Sequence, residues 1–215
     1  DVEKGTLGGY VEKEENLDHE GNAWVSGNAC VCGNAKVSGN AWVSGNAWVC
    51  GDAKVSCNAW VCGNAWVCGN AKVSGDAKVS GNAWVSGNAW VCGNAWVSGD
   101  AKVSGNAWVS GDAKVSGNAC VCGNAWVCGN AKVSGNACVY GNADYATVKG
   151  FGTQCRATTF FRCKDRKIRV VCGCFKGTIE DFRKHVKATR TGKIEKEYLM
   201  IADLMELHFE EESEE

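Results

Sequence analysis

The chain has no proline, two methionines and three histidines in 215 residues. Without proline, no turn is fixed by a locked φ, so bends must come from glycine and asparagine. The histidines are His19, His185 and His208, and none falls between residues 21 and 146. No run of about 18 apolar residues occurs, which excludes a membrane-spanning helix. No signal-peptide pattern opens the sequence. The formal net charge is −1, so bulk charge calls for no polyanionic partner.

What is abundant is small or aromatic: 28 glycines, 15 cysteines and 10 tryptophans. From Gly21 to Ala146 the chain runs as 21 hexads of the form Gly-Asn/Asp-Ala-x-Val-Ser/Cys, the last ("GNADYA") decaying. A fixed period of this kind marks a solenoid. In Ala-x-Val, alanine and valine point one way and x the other. Over the twenty good hexads x is Trp ten times, Lys seven times and Cys three times. A slot that takes lysine so often must reach water, because a buried unpaired ammonium is too costly. Ala and Val therefore face inward and Trp outward. Gly-Asn and Gly-Asp form the corners, since these residues tolerate positive φ. Cys57 stands at one corner in place of glycine.

Three short strands and three corners close an 18-residue triangular coil. Twenty-one hexads make seven coils, a prism roughly 34 Å long at about 4.8 Å per coil. The expected class is an all-β solenoid with stacked Val and Ala inside and little room for an internal ligand.

Residues 1–20 hold seven acids against Lys4 and Lys13 and read as a polar N-terminal cap with a tight turn at Gly8-Gly9. Residues 147–215 read as a small α+β cap. "CRATTFFRCKDRKIRVVCGCF" reads as a hairpin turning near Asp165-Arg166. Thr178 with Asp181 makes a capping box for a helix to about Arg190, with Phe182 and Val186 inward. A second helix starts near Ile194, after Gly192. Ile194, Tyr198, Ile201, Met205 and His208 follow its spacing. Residues 147–193 carry a net +10 and residues 194–215 a net −8. A basic patch for nucleic acid is one reading; neutralisation of the basic segment by the acidic helix and tail is favoured.

The hexads resemble those of left-handed parallel β-helices, the fold of hexapeptide-repeat acyltransferases and γ-class carbonic anhydrases. Left-handedness is implied by that resemblance; the general crossover preference gives the opposite hand. The flanks "KGTLGGYVEKEENLDHEGNAWV" and "TTFFRCKDRKIRVVCGCFKGTIEDF" resemble those of hexapeptide-repeat proteins of Firmicutes and their prophages, a group without an established activity. Acyltransferases of the superfamily use a histidine base, and γ-carbonic anhydrases hold a metal with three histidines. No hexad here offers a histidine, so no catalytic residue carries over and no cofactor is expected.

The odd cysteine count, and cysteine standing where sister repeats have serine, point to free thiols in a reducing bacterial cytoplasm. Cys155, Cys163, Cys172 and Cys174 lack the paired knuckles of structural zinc. Cys32, Cys50 and Cys68 recur every 18 residues, with Cys30 alongside, and form a minor candidate for disulfides or a soft metal. Asp52, Asp76, Asp100 and Asp112 sit at corners without a calcium-binding pattern.

Every third hexad falls on one face, and each face carries a block of three tryptophans. These are Trp24, Trp42 and Trp60; Trp48, Trp66 and Trp84; and Trp90, Trp108 and Trp126. Neighbouring indoles either stack as internal staples or form apolar patches that mark an interface. The favoured expectation is a non-enzymatic scaffold that binds copies of itself, a trimer first, or another protein. An acyltransferase-like enzyme with its base in an end segment is the alternative. A carbohydrate- or nucleic-acid-binding module comes third.

Overall fold

The computed structural model describes residues 6–154, 157–163 and 165–210. Each x-Val pair forms a two-residue strand, from Trp24–Val25 to Cys138–Val139. These rungs sort into three parallel sheets. The first face runs from Trp24 to Lys132, the second from Cys30 to Cys138, and the third from Lys36 to Trp126. Like slots stack in register, Val43 on Val61 and Trp42 on Trp60. The chain is thus a parallel β-solenoid of about seven turns. Ala and Val of the rungs have no exposed surface from Ala29 to Val139. Every corner from Gly27 to Gly135 lies in the left-handed region, and Cys57 joins them at φ 63°. The corner geometry is imposed by the coil, and a side chain there is strained but carried.

The backbone bonds have a direction. The x, Ser/Cys and many Asn/Asp N–H groups donate to carbonyls of the next coil, as Trp42 does to Ala59 and Asn46 to Gly63. This leaves carbonyls open at the N-terminal edge and N–H groups open at the C-terminal edge. The ends supply the complement. Gly9, Tyr10, Glu12 and Asp18 donate backbone N–H groups to Val25, Ala29, Val31 and Val37. The buried Asn16 amide donates to Gly33 O at 3.1 Å and Ala35 O at 2.8 Å. At the other edge Trp126 N–H donates to Asn142 Oδ1 at 2.8 Å and Lys132 N–H to Thr159 Oγ1 at 3.0 Å.

The N-terminal segment is itself a partial coil. Tyr10–Val11 pairs parallel with Cys30–Val31, and Leu17 bridges Val37. Gly8-Gly9 makes no turn, contrary to expectation. Glycine is needed because the backbone presses on the first coil. A Cβ at Gly9 would lie 2.6 Å from Ala29 O and 2.9 Å from Val25 Cγ1.

The twenty-first hexad leaves the prism. Its valine slot is Tyr145, whose ring is too large for an interior of Ala and Val. Asp144 Oδ2 instead accepts the N–H groups of Tyr140 at 2.8 Å and Gly141 at 3.0 Å, bending the chain away. The strand Tyr145–Val148 then opens an antiparallel sheet with Thr158–Arg162, Ile168–Cys172 and Phe175–Thr178. The expected hairpin is the middle of this four-stranded sheet. Its outer strands are too short, and too plain in pattern, to announce themselves. Alternation divides the sheet's duties. Phe161, Cys163 and Val171 pack on the prism core, while Phe160 and Val170 pack on the helices.

Helix α1 spans Ile179–Thr189 with Thr178 and Asp181 in the expected capping box. Helix α2 spans Gly192–Phe209, two residues earlier than the spacing of Ile194 suggested. Tyr198, Ile201 and Met205 are buried as expected; His208 is exposed, and Phe209 takes the inward place. The two helices are tied by Arg183, which bonds Asp203 and Glu206. These carboxylates hold the guanidinium well above its ordinary pKa. The acidic helix thus pairs with one cation of α1, while Arg169 of the hairpin, expected to be neutralised by that helix and the tail, pairs with Asp165 of its own turn. Residues 211–215 of the acidic tail lie outside the described residues.

Candidate functional surface

Tryptophan sits outside because the x slot does, and its indole is fixed there by three kinds of contact. The first is stacking. Trp90–Trp108 and Trp108–Trp126 lie 4.9 and 5.1 Å between ring centres at 5° and 12°. Trp48–Trp66 lie 5.5 Å apart at 13°, and Trp42–Trp60 6.0 Å apart at 28°. Trp84 is tilted 56° against Trp66. Trp24 is half-buried, its ring edge beside Gly8. Rungs are about 4.8 Å apart, while aromatic carbons touch at about 3.5–4.0 Å. The rings must therefore lean like shingles, which leaves part of each face uncovered. Stacked indoles such as Trp90 and Trp126 are 37% and 48% exposed.

The second contact went unread in the sequence. In seven of the ten tryptophans the indole Nε1 donates to the Ser or Cys 16 residues earlier, at the end of the rung before. Trp42 reaches Ser26 at 3.1 Å, Trp90 reaches Ser74 at 3.0 Å, and Trp84 reaches Cys68 Sγ at 3.2 Å. The signal was present: the sixth slot holds almost only Ser and Cys, the two small side chains that accept a hydrogen bond. The third contact is with lysine. The ammoniums of Lys72, Lys78, Lys102 and Lys114 stand 5.4, 5.7, 6.0 and 5.5 Å from the centres of Trp90, Trp60, Trp84 and Trp96.

Corner amides form ladders beside the tryptophans. Asn28, Asn46, Asn64 and Asn82 each donate to the next amide, ending on Asp100. Aspartate accepts but has no donor to pass on. Asp52, Asp76 and Asp112 also accept from an asparagine one coil before. These four carboxylates are rungs of the ladders.

The thiol ladder of Cys30, Cys32, Cys50 and Cys68 is drawn to one edge of the prism. Burial first, then neighbouring thiols, push Cys32 up to about 11 and raise Cys50. Burial and Cys120 push Cys122 up to about 12. Such thiols stay protonated at neutral pH and are poor nucleophiles. Among the described residues no group of three or more His, Cys, Asp or Glu is placed to hold a metal ion. Cys163 is buried against the prism, Cys172 Sγ accepts from Thr158, and Cys174 is exposed. Cys155 lies outside the described residues. His19 in a bend before the first coil, His185 on α1 and His208 on α2 are all exposed, with His185 stacked on Phe175 at 4.9 Å. No helix among the described residues is long and apolar enough to cross a membrane.

A family model described as "YdcK Beta solenoid repeat" matches residues 35–51 and 77–93. Both stretches lie inside the prism, so the match speaks for a repeat β-solenoid and not for the ends. No curated protein and no solved structure matches the chain.

Proposed function

We propose that this chain is a non-enzymatic β-solenoid scaffold of the bacterial cytoplasm, of the Firmicutes and prophage kind its flanks resemble. It works by holding other proteins, first of all copies of itself, through its outward tryptophans. One observation carries this reading: three contiguous blocks of large aromatics stand on a rigid prism and keep 37–48% of their surface where they are exposed. Contiguous apolar surface of this kind marks interfaces, and tryptophan is enriched among the residues that carry their binding energy.

Two alternatives have less behind them. An acyltransferase-like centre needs a base, and the repeats hold no histidine. A sugar ring or a base needs an open ring face. Within a block, Trp66 and Trp108 have an indole on both sides, so only part of each face is uncovered, too little for a flat ring to stack on.

The test is mass in solution. The full chain in reducing buffer is expected to exceed monomer mass at tens to hundreds of micromolar. Replacing each block of three by Lys, a residue its slot already accepts, should lower that mass for at least one block with circular dichroism unchanged. A wild type that stays monomeric throughout overturns the reading and leaves the ladders as staples.

A further inference from the structure

The three faces are not equivalent. Along the axis the third face carries Lys36, Lys54, Lys72, Trp90, Trp108 and Trp126, one per rung and in register. Three cations are followed by three indoles. Reversed end to end, this series sets a tryptophan opposite every lysine. The first face does not: reversed about its middle rung, Lys78 meets itself and Trp60 meets Trp96. The second face has Cys30, Cys120 and Cys138 at its ends.

We propose that the third face is the contact surface of a two-fold dimer, with a second copy of this chain lying antiparallel across it. The proposal rests on the self-association reading and gives it a face, an orientation and a copy number, in place of the trimer implied by family resemblance. A two-fold axis crosses the face between Lys72 and Trp90. It sets Lys36 against Trp126 of the second copy, Lys54 against Trp108 and Lys72 against Trp90, each twice by symmetry. Each lysine lays its hydrocarbon stem on an indole. Its ammonium meets ring surface that the shingled stack leaves uncovered. The monomer already uses this pairing at the junction, where Lys72 Nζ stands 5.4 Å from the Trp90 centre. The parallel alternative sets three lysines against three lysines.

The ends agree in charge. Glu14, Glu15, Asp18 and Glu20 line a groove with Lys36 and Lys54 at the N-terminal end of this face. Lys149 lies beside Cys128 and Asn130 at the C-terminal end. The antiparallel arrangement brings those acids toward Lys149 of the second copy. Six rungs at about 4.8 Å and a width of roughly 16 Å give roughly 900 Å2 over two copies. That lies below the size of stable complexes, about 1,200 Å2 and up, and fits a weak, concentration-dependent dimer.

Sedimentation equilibrium of the full chain in reducing buffer tests this, with circular dichroism as the check on folding. Trp108→Lys sets lysine against Lys54 twice and is expected to weaken the dimer at least tenfold, about 1.4 kcal/mol. Lys54→Glu touches no stack and should weaken it in the same direction. Trp66→Lys, the same change in mid-block on the second face, should leave it intact. The deciding measurement is the double variant Lys54→Glu, Trp108→Lys. Antiparallel copies then set glutamate against lysine at both contacts, and the dimer should return toward wild-type strength, whereas parallel copies set like charge against like. A dimer that survives Trp108→Lys and Lys54→Glu singly, or one that the double variant does not restore, overturns the proposal. Association lost on Trp66→Lys instead overturns it while sparing the scaffold reading. A monomer at every concentration overturns both.

Discussion

The prism and the C-terminal unit keep their aromatics in opposite places. In the prism all ten tryptophans lie on outward slots, and the core is Val and Ala. In the C-terminal unit Phe160, Phe182 and Tyr198 are buried, meeting edge to face at 5.9 Å. Hydrophobicity is similar; the gap to be filled is not. Three sheets of a narrow coil converge until only small side chains fit. A helix over a sheet leaves a gap of about 10 Å, which rings fill well. The two regions also differ in how they cohere. Each coil touches its neighbours, so damage at one rung meets the next. The sheet and helices share one core gathered from distant parts of the chain.

The largest expected difference comes from a charge placed in each core. Val91→Asp buries a carboxylate mid-prism, where valine has no exposed surface. It should cost more than about 4 kcal/mol and leave no soluble folded prism. Val186→Asp should unfold α1 and α2 while the prism keeps its β-sheet circular dichroism and protease resistance. Loss of both regions from Val186→Asp would break the comparison, showing one cooperative unit.

Removing residues 147–215 comes next. It takes away Thr159, which accepts the Lys132 N–H, and the sheet face over the last coil. Open strand edges should then drive aggregation, seen by light scattering. A monodisperse truncation would show that the prism closes itself.

Smaller effects separate ladder positions. Trp108→Ala loses two stacks and the bond to Cys92 Sγ. It should cost about 1–3 kcal/mol in denaturant melts. Trp96→Ala loses the Ser80 bond and the Lys114 contact and should cost less, about 1 kcal/mol. Equal losses would mean that stacking adds little.

The smallest effect is a pH trend. The Cys32 and Cys122 thiols are held at about 11 and about 12 against an ordinary value of 9.0. Below pH 9 they are protonated in both states, and their contribution to stability is fully present. As pH rises from 9 toward 11 and 12, the unfolded chain ionises while the folded chain still holds its protons, so that contribution falls away. Melting temperature under reducing conditions should drop over this window, and less so in the Cys32→Ser, Cys122→Ser double variant. An unchanged drop would assign the trend to other groups.

Much of the prism was legible because its information is local and repeated. Lysine in the x slot fixed which side faces water, and the glycine period fixed the corners. The capping box at Thr178 was legible for the same reason, being set by residues three apart. The surface was half legible. The blocks of tryptophan could be counted, but the partner of each indole N–H could not, because it lies 16 residues back across a coil boundary. Gly8-Gly9 was misread because a close approach to Val25 and Ala29 looks, in sequence, like a turn.

The sequence by itself determined the period, the inward and outward sides, the corners and the start of α1. Each follows from the steric and solvation preference of a residue repeated in the same setting. The tertiary structure alone decided how the repeat stops. It sent Tyr145 into an antiparallel sheet, drew Asn16 under the first coil to meet two carbonyls, and split Phe160 from Phe161 between helices and prism. Ends have no neighbour to copy. Their open donors and acceptors are met by whatever distant segment can reach them, and no local pattern records that.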